Sequence, residues 1–132
     1  MSSEDHPNVE VLRRMFDAMA NGDVETLIAM QTADFALTVS GTSAVSGTFP
    51  GPQAGAQFQT SMELTHGQMR IQPQQLLAND DVGVAFIVVT AQRPDGRSIE
   101  QRLIHEVRFE DGKIAGIDEW VWDQAADAEF WS

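Results

Sequence analysis

His105 and the adjacent acids Asp118 and Glu119 are the residues of this chain with the chemistry to move a proton. Imidazole takes and gives protons near neutral pH, and a carboxylate desolvated in apolar surroundings becomes a stronger base. Such a pair suits proton abstraction beside a carbonyl. One group removes the proton, and the other returns it or hydrogen-bonds the developing enolate. The competing reading is structural: buried polar groups that satisfy one another and bound water. Cysteine is absent, which excludes disulfides, thiolate metal sites and cysteine nucleophiles. The three histidines, His6, His66 and His105, are too scattered for a helical metal-binding spacing, so neither metal nor cofactor is expected.

Which acid meets His105 depends on a hairpin. Over Ser98–Phe109 a period of two puts Leu103, His105, Val107 and Phe109 on one face, apolar except for the histidine. Arg102, Ile104, Glu106 and Arg108 take the other face, which is charged and outward. The turn at Glu110-Asp111-Gly112 has two solutions. A two-residue type I′ turn at Asp111-Gly112 pairs His105 with Asp118 and turns Trp120 and Trp122 inward. A three-residue turn with a bulge at Gly112 sets His105 opposite Ile117, with Ala115, Ile117, Glu119 and Val121 inward and both tryptophans outward. A one-residue slip exchanges the faces, and Asp-Gly suits both turns.

The elements that position this hairpin follow from periodicity. Pro7–Ala20 carries Val9, Leu12, Met15, Phe16 and Met19 at helical spacing, with Asn21-Gly22 as the stop. Asp23 caps a short second helix through Met30, packed by Leu27 and Ile28. Asp34–Ser40 reads as a strand, residues 41–46 as a loop, and Gln53–Leu64 as a third helix behind a Pro-Gly-Pro breaker. Four strands follow, at Met69–Leu77, Val82–Gln92, Ser98–Phe109 and Lys113–Trp122, separated by Asn/Asp/Gly/Pro turns. Links this short make an antiparallel meander. An amphipathic tail, Gln124–Trp131, predicts one or two helical turns. The sum is one α+β domain over residues 1–132: a curved antiparallel sheet wrapped around helices, with a ligand cavity between them.

Composition narrows the partners. The formal net charge is −12, from 8 basic against 20 acidic residues, so nucleic acid and anionic membranes are poor partners. No basic-then-apolar leader opens the chain, and a cytoplasmic location is the expectation. His66 reads as a helix C-terminal residue, and His6 as part of a frayed terminus.

In the order of its motifs the chain resembles the NTF2-like superfamily, the cone-shaped fold of ketosteroid isomerases, limonene epoxide hydrolases and SnoaL-like polyketide cyclases. The residues carrying the resemblance are Phe16-Asp17-Ala18-Met19-Ala20-Asn21-Gly22-Asp23, Ser46-Gly47-Thr48-Phe49-Pro50-Gly51, Phe109-Glu110-Asp111-Gly112-Lys113-Ile114 and Glu119-Trp120-Val121-Trp122-Asp123. The resemblance implies the fold but not a reaction, because the fold hosts many. The isomerases' base would fall near Val39 or Ser40, and their tyrosine at Met15, in a chain without tyrosine. Their acidic oxyanion donor falls at His105. The hydrolases' Arg-x-Asp pair falls on Phe86 and Val88, and their final-strand aspartate on Glu119. The comparison therefore favours the bulged turn, Glu119 inward and Asp118 outward. It implies that His105 and Glu119 act on a small hydrophobic carbonyl compound. Met15, Phe35, Phe58, Met62, Phe86, Val88 and Leu103 are the expected cavity lining. It also implies a homodimer through the outer sheet face at Trp120 and Trp122. The rival is a non-catalytic ligand-binding or dimerisation domain.

Overall fold

The computed structural model describes residues 2–132. Helix α1, Pro7–Ala20, buries Val9, Leu12, Met15, Phe16 and Ala18, the stripe its spacing predicts. Its start is pinned rather than frayed. His6 Nδ1 accepts from the Asn8 amide at 3.0 Å, and Nε2 meets the Asp80 carboxylate at 2.8 Å. Asn8 Nδ2 donates to the Asn79 carbonyl at 3.0 Å, tying α1 to the turn after β3. Helix α2, Val24–Ala29, is capped by Asp23, whose carboxylate accepts from the Thr26 amide at 3.1 Å. Leu27 packs on the core, whereas Ile28, expected to do so, faces solvent.

Strands β1 (Gln31–Val39) and β2 (Gly47–Pro50) form an antiparallel pair, and helix α3 spans Pro52–Leu64. Then come β3 (Met69–Ala78), β4 (Val82–Gln92), β5 (Ser98–Glu110) and β6 (Lys113–Val121), followed by helix α4 (Gln124–Phe130). The six strands lie in the order β2-β1-β6-β5-β4-β3. The last four are the expected meander, and β1 returns parallel to β6. His66 takes φ 50°, the left-handed residue just past α3.

The concave face of this curved sheet supplies Ala85, Ile87, Val89, Leu103, Val107, Phe109, Ile114, Ile117 and Val121 to a core closed by α1. The fit is close at Gly83. A Cβ there would stand 2.9 Å from the Phe109 ring and 3.1 Å from Leu12, so only glycine lets β4 lie under α1. A second cluster of Val45, Ala91, Phe130 and Trp131 closes one end of the cone beneath α4. Arg93 and Arg97 hold α4 there: their guanidinium groups donate to the Phe130 and Glu129 carbonyls at 2.7 and 2.8 Å. Among the described residues no helix is long and apolar enough to cross a membrane.

Candidate functional site

The site hairpin uses the two-residue turn, not the bulged three-residue turn. Asp111 and Gly112 take φ 50° and 78°, and Phe109 pairs with Ile114. The extra residue is inserted further along: Arg108 pairs with Gly116, so Ala115 bulges out of β6. That single slip sets His105 opposite Glu119 rather than opposite Asp118 or Ile117. Ile114, Ile117 and Val121 are buried on the concave side, while Trp120 and Trp122 are exposed on the convex side. Asp118 points outward, where its carboxylate accepts from Arg108 at 2.9 Å. Arg108 reaches it by lying across Gly116, where any Cβ would collide with the guanidinium.

His105 Nε2 and Glu119 Oε1 are 2.7 Å apart, the length of a charge-assisted bond. The imidazole is 4% exposed. Phe16 stacks on it with ring centroids 5.8 Å apart and planes at 24°. Glu119 reaches further towards solvent, its side chain being 19% exposed against 5% for His105. His105 Nδ1 is buried without a partner. An orphaned N–H costs more than a bare lone pair, which assigns the proton to Nε2, donating to Glu119 Oε1. The result is a carboxyl group held in place by the imidazole, with one oxygen uncommitted to His105.

The expected lining separates into three groups. Met15, Phe35 and Leu103 belong to the same core as Phe16. Phe58 and Met62 are half-buried on α3. Phe86 and Val88 do not line the cone. Ala85 pairs with His105, so the pleat carries its neighbour Phe86 to the convex face, and Val88 with it. Ile87 and Val89 take the inward places. Ser40, near the position of the isomerase base, spends its hydroxyl oxygen as acceptor for the Val121 amide at 3.0 Å.

One buried acid escaped the sequence reading. Asp127, on α4, is 6% exposed, and its Oδ1 accepts from the Trp131 indole at 3.1 Å. Burial pushes its carboxyl above the usual carboxylate range, hydrogen bonds from Ser43 and Trp131 pull it back in part, and the charge of Glu119 raises it further. The Asp127/Trp131 spacing of four residues, one helical turn, was the available signal.

Two clefts open on the surface. One, about 760 Å³, runs between α1 and β3 past Arg13, Phe16, Asp17, Ile71, Gln75 and Leu76. The other, about 500 Å³, lies at the ends of β3, β4 and β5 around Met69, Thr90 and Ile99. His105 and Glu119 line neither, but Phe16 forms part of the first and stacks on His105.

A cone-shaped sheet closed by helices, with its titratable pair on the concave side of the last hairpin, defines an NTF2-like, cystatin-like fold. The chain belongs to the SnoaL-like domain family, which matches residues 12–117. It is 27% identical over 129 residues to an uncharacterized protein of Mycobacterium tuberculosis, covering 97% of this chain and 98% of that one. Bal32a, from a soil-derived mobile gene cassette, superposes with a TM-score of 0.88 at 26% identity, over 95% of this chain and 96% of that one. An NTF2-like protein of Burkholderia xenovorans superposes with a TM-score of 0.82 at 22% identity, over 100% of this chain and 98% of that one. TerC, co-crystallized with polyporic acid, gives 0.80 at 20% identity, over 95% of this chain and 98% of that one. The last two likenesses concern the fold alone.

Proposed function

We propose that the protein binds a small hydrophobic carbonyl compound in its cone and moves a proton on it without a cofactor, as an isomerase, cyclase or dehydratase. The observation that carries this is the 2.7 Å bond between buried His105 and partly buried Glu119, on the side of the sheet that holds the apolar core. Glu119 is the base. Its second oxygen takes the proton from a carbon flanking the carbonyl, and returns it to the other end of the resulting enolate when the reaction is an isomerisation. His105 is the positioning group: its Nε2–H donates to Glu119 and fixes the orientation of the carboxyl group. The cleft between α1 and β3 is the proposed route in, because Phe16, which stacks on the imidazole, forms part of its wall and would have to move aside. TerC, which shares the fold, was co-crystallized with polyporic acid, an organic ligand.

A screen of ketones and β,γ-enones, with His105→Ala and Glu119→Ala alongside, tests the proposal. Turnover lost in Glu119→Ala supports it, and equal turnover in all three proteins defeats it.

A second reading has its own observation. Phe16 covers His105, which lines neither cleft, as it would in a non-catalytic ligand-binding or dimerisation domain. The convex face suits assembly: Phe86, Ile104 and Trp120 pair across three strands, and all three are exposed. Trp122 extends the row, with the Arg102 guanidinium 4.8 Å above its ring. We propose that a second copy of the chain covers this face. Sedimentation of Trp120→Glu as a monomer beside a wild-type dimer would support that, and a monomeric wild type at micromolar concentration would sink it.

A further inference from the structure

We infer that His105 Nδ1 determines specificity at the same site: it accepts a hydrogen bond from the ligand, selecting a carbonyl compound that also carries a neutral hydroxyl. This deepens the proposed function and rests on its route in past Phe16. The imidazole is buried, and its Nδ1 is one of two buried side-chain atoms without a partner among the described residues. The other, Arg93 Nε, belongs to a guanidinium already engaged on the Phe130 carbonyl at 2.7 Å. Buried polar atoms are nearly always hydrogen-bonded, so a bare acceptor in a core is unspent binding capacity.

The neighbouring side chains offer this nitrogen no donor. Nε2 faces Glu119 on β6, and the two ring nitrogens point apart, so Nδ1 is directed away from that acid. On the other flank, His105 pairs with Ala85 on β4, and Ala85 pairs with Leu76 on β3. Leu103 and Val107 stand two residues either way along β5, and Phe16 stacks on the ring. All of these side chains are apolar. Leu76 forms part of the wall of the α1–β3 cleft, together with Phe16 and Ile71. In the sheet row that joins cleft to imidazole, a single methyl group, that of Ala85, stands between them.

This surrounding sets the ligand's chemistry. Its body is apolar, to lie against Phe16, Ile71 and Leu76. Its donor is a neutral O–H, because an ammonium buried against a neutral nitrogen in an apolar core would cost more than the bond returns. Holding the hydroxyl at Nδ1 also orients the rest of the molecule relative to Glu119, which sits at the opposite edge of the ring. A hydrogen bond accepted at Nδ1 makes Nε2–H a stronger donor, so the bound hydroxyl tightens the grip on the Glu119 carboxyl.

His105→Gln tests the role, because its amide N–H can still donate to Glu119 while the acceptor at Nδ1 is gone. The probes are 1-tetralone, its 5-, 6- and 7-hydroxy derivatives and their methyl ethers. Binding is measured by calorimetry on wild type and His105→Gln. In parallel, wild type labelled with ¹⁵N at histidine reports Nδ1 directly, with His105 assigned by substituting His6 and His66 in turn. Deuterium exchange beside the carbonyl is followed for each bound probe. At least one hydroxytetralone should bind wild type about tenfold more tightly than 1-tetralone and than its own methyl ether. Its binding should move the Nδ1 signal from the free-acceptor to the hydrogen-bonded position, and the preference should disappear in His105→Gln. If that variant does not fold, the ether comparison and the ¹⁵N shift in wild type decide. Tetralones that bind and exchange with no preference for the hydroxyl, a preference that survives in His105→Gln, or an Nδ1 signal that stays where it was in the free protein would overturn the inference and leave the proton transfer standing. A preference and a shift without protein-dependent exchange would uphold the inference and remove Glu119 as the base. If no tetralone binds, both fall.

Discussion

Glu119→Ala strands the His105 imidazole. Nε2–H loses its acceptor, Nδ1 already has no partner, and the ring, 4% exposed under Phe16, has little access to water. An orphaned buried donor costs about 1–3 kcal/mol, and a bond to a charged acceptor is worth about the same. For a chain of this size 1 kcal/mol moves the melting temperature by about 3–5 °C, so the single variant should melt about 3–15 °C lower. His105→Leu made in that background removes the stranded donor and leaves an apolar side chain beneath Phe16. It should therefore recover about 1–2 kcal/mol, since replacing both partners of a buried bond is nearly neutral. In the wild-type background the same change leaves Glu119 without its donor and should destabilise. Urea unfolding of the four proteins, followed by circular dichroism, completes the cycle. A coupling of at least about 1 kcal/mol is expected. Additivity within about 0.5 kcal/mol would refute the claim that the two side chains form one buried unit.

Other outcomes follow from single positions. Gly83→Ala should cost about 1–3 kcal/mol in urea unfolding, because the new methyl meets the Phe109 ring and Leu12 inside a filled core. A cost near zero would show that α1 stands off β4. Phe16→Ala should join the α1–β3 cleft to His105 at a stability cost of about 3–5 kcal/mol, and should let a histidine reagent such as diethyl pyrocarbonate modify His105. Unchanged labelling of His105 would place the access route elsewhere. Asp127 sets a slope with pH. Its carboxyl is raised above 3.8 in the fold, so the folded state keeps this proton after the unfolded chain has lost it. Its contribution is complete below the unfolded value and is lost as pH rises through the folded one. Wild type should therefore lose stability relative to Asp127→Asn from about pH 4 upward. A difference that widens in favour of wild type over that range would reverse the assignment.

Most of the fold was legible because periodicity and turn residues agree along the chain. The meander strands begin and end where Asn79-Asp80-Asp81, Pro94-Asp95-Gly96 and Glu110-Asp111-Gly112 place them. Strand β2 was not legible. Four residues ending in Pro50 carry no alternation, and they become a strand only because β1 offers an open edge. The phase of β4 was also hidden. Its run from Val82 to Val89 is apolar on both sides, so only pairing of Ala85 with His105 sends Phe86 and Val88 outward. Glu119 came out inward through a bulge at Ala115 rather than at the turn. Two small residues, Ala115 and Gly116, were its only trace, and the side-chain crowding that selects it, Arg108 across Gly116, is a tertiary contact. Asp127 was passed over as part of an amphipathic tail. Its burial depends on where α4 docks, and that is set by Arg93 and Arg97 from a distant turn.

Proton transfer by Glu119, held by His105, is read most directly as exchange of carbon-bound hydrogen for deuterium. Incubating 3-cyclohexenone and a set of simple ketones in deuterated buffer, with proton NMR of the positions beside the carbonyl, needs no product to be known in advance. Wild type should exchange those positions faster than buffer alone. Glu119→Gln should lower the protein-dependent rate by about 10²-fold or more, and His105→Ala by less, because it disturbs the base without removing it. Exchange that is equal in wild type, both variants and buffer would contradict the account.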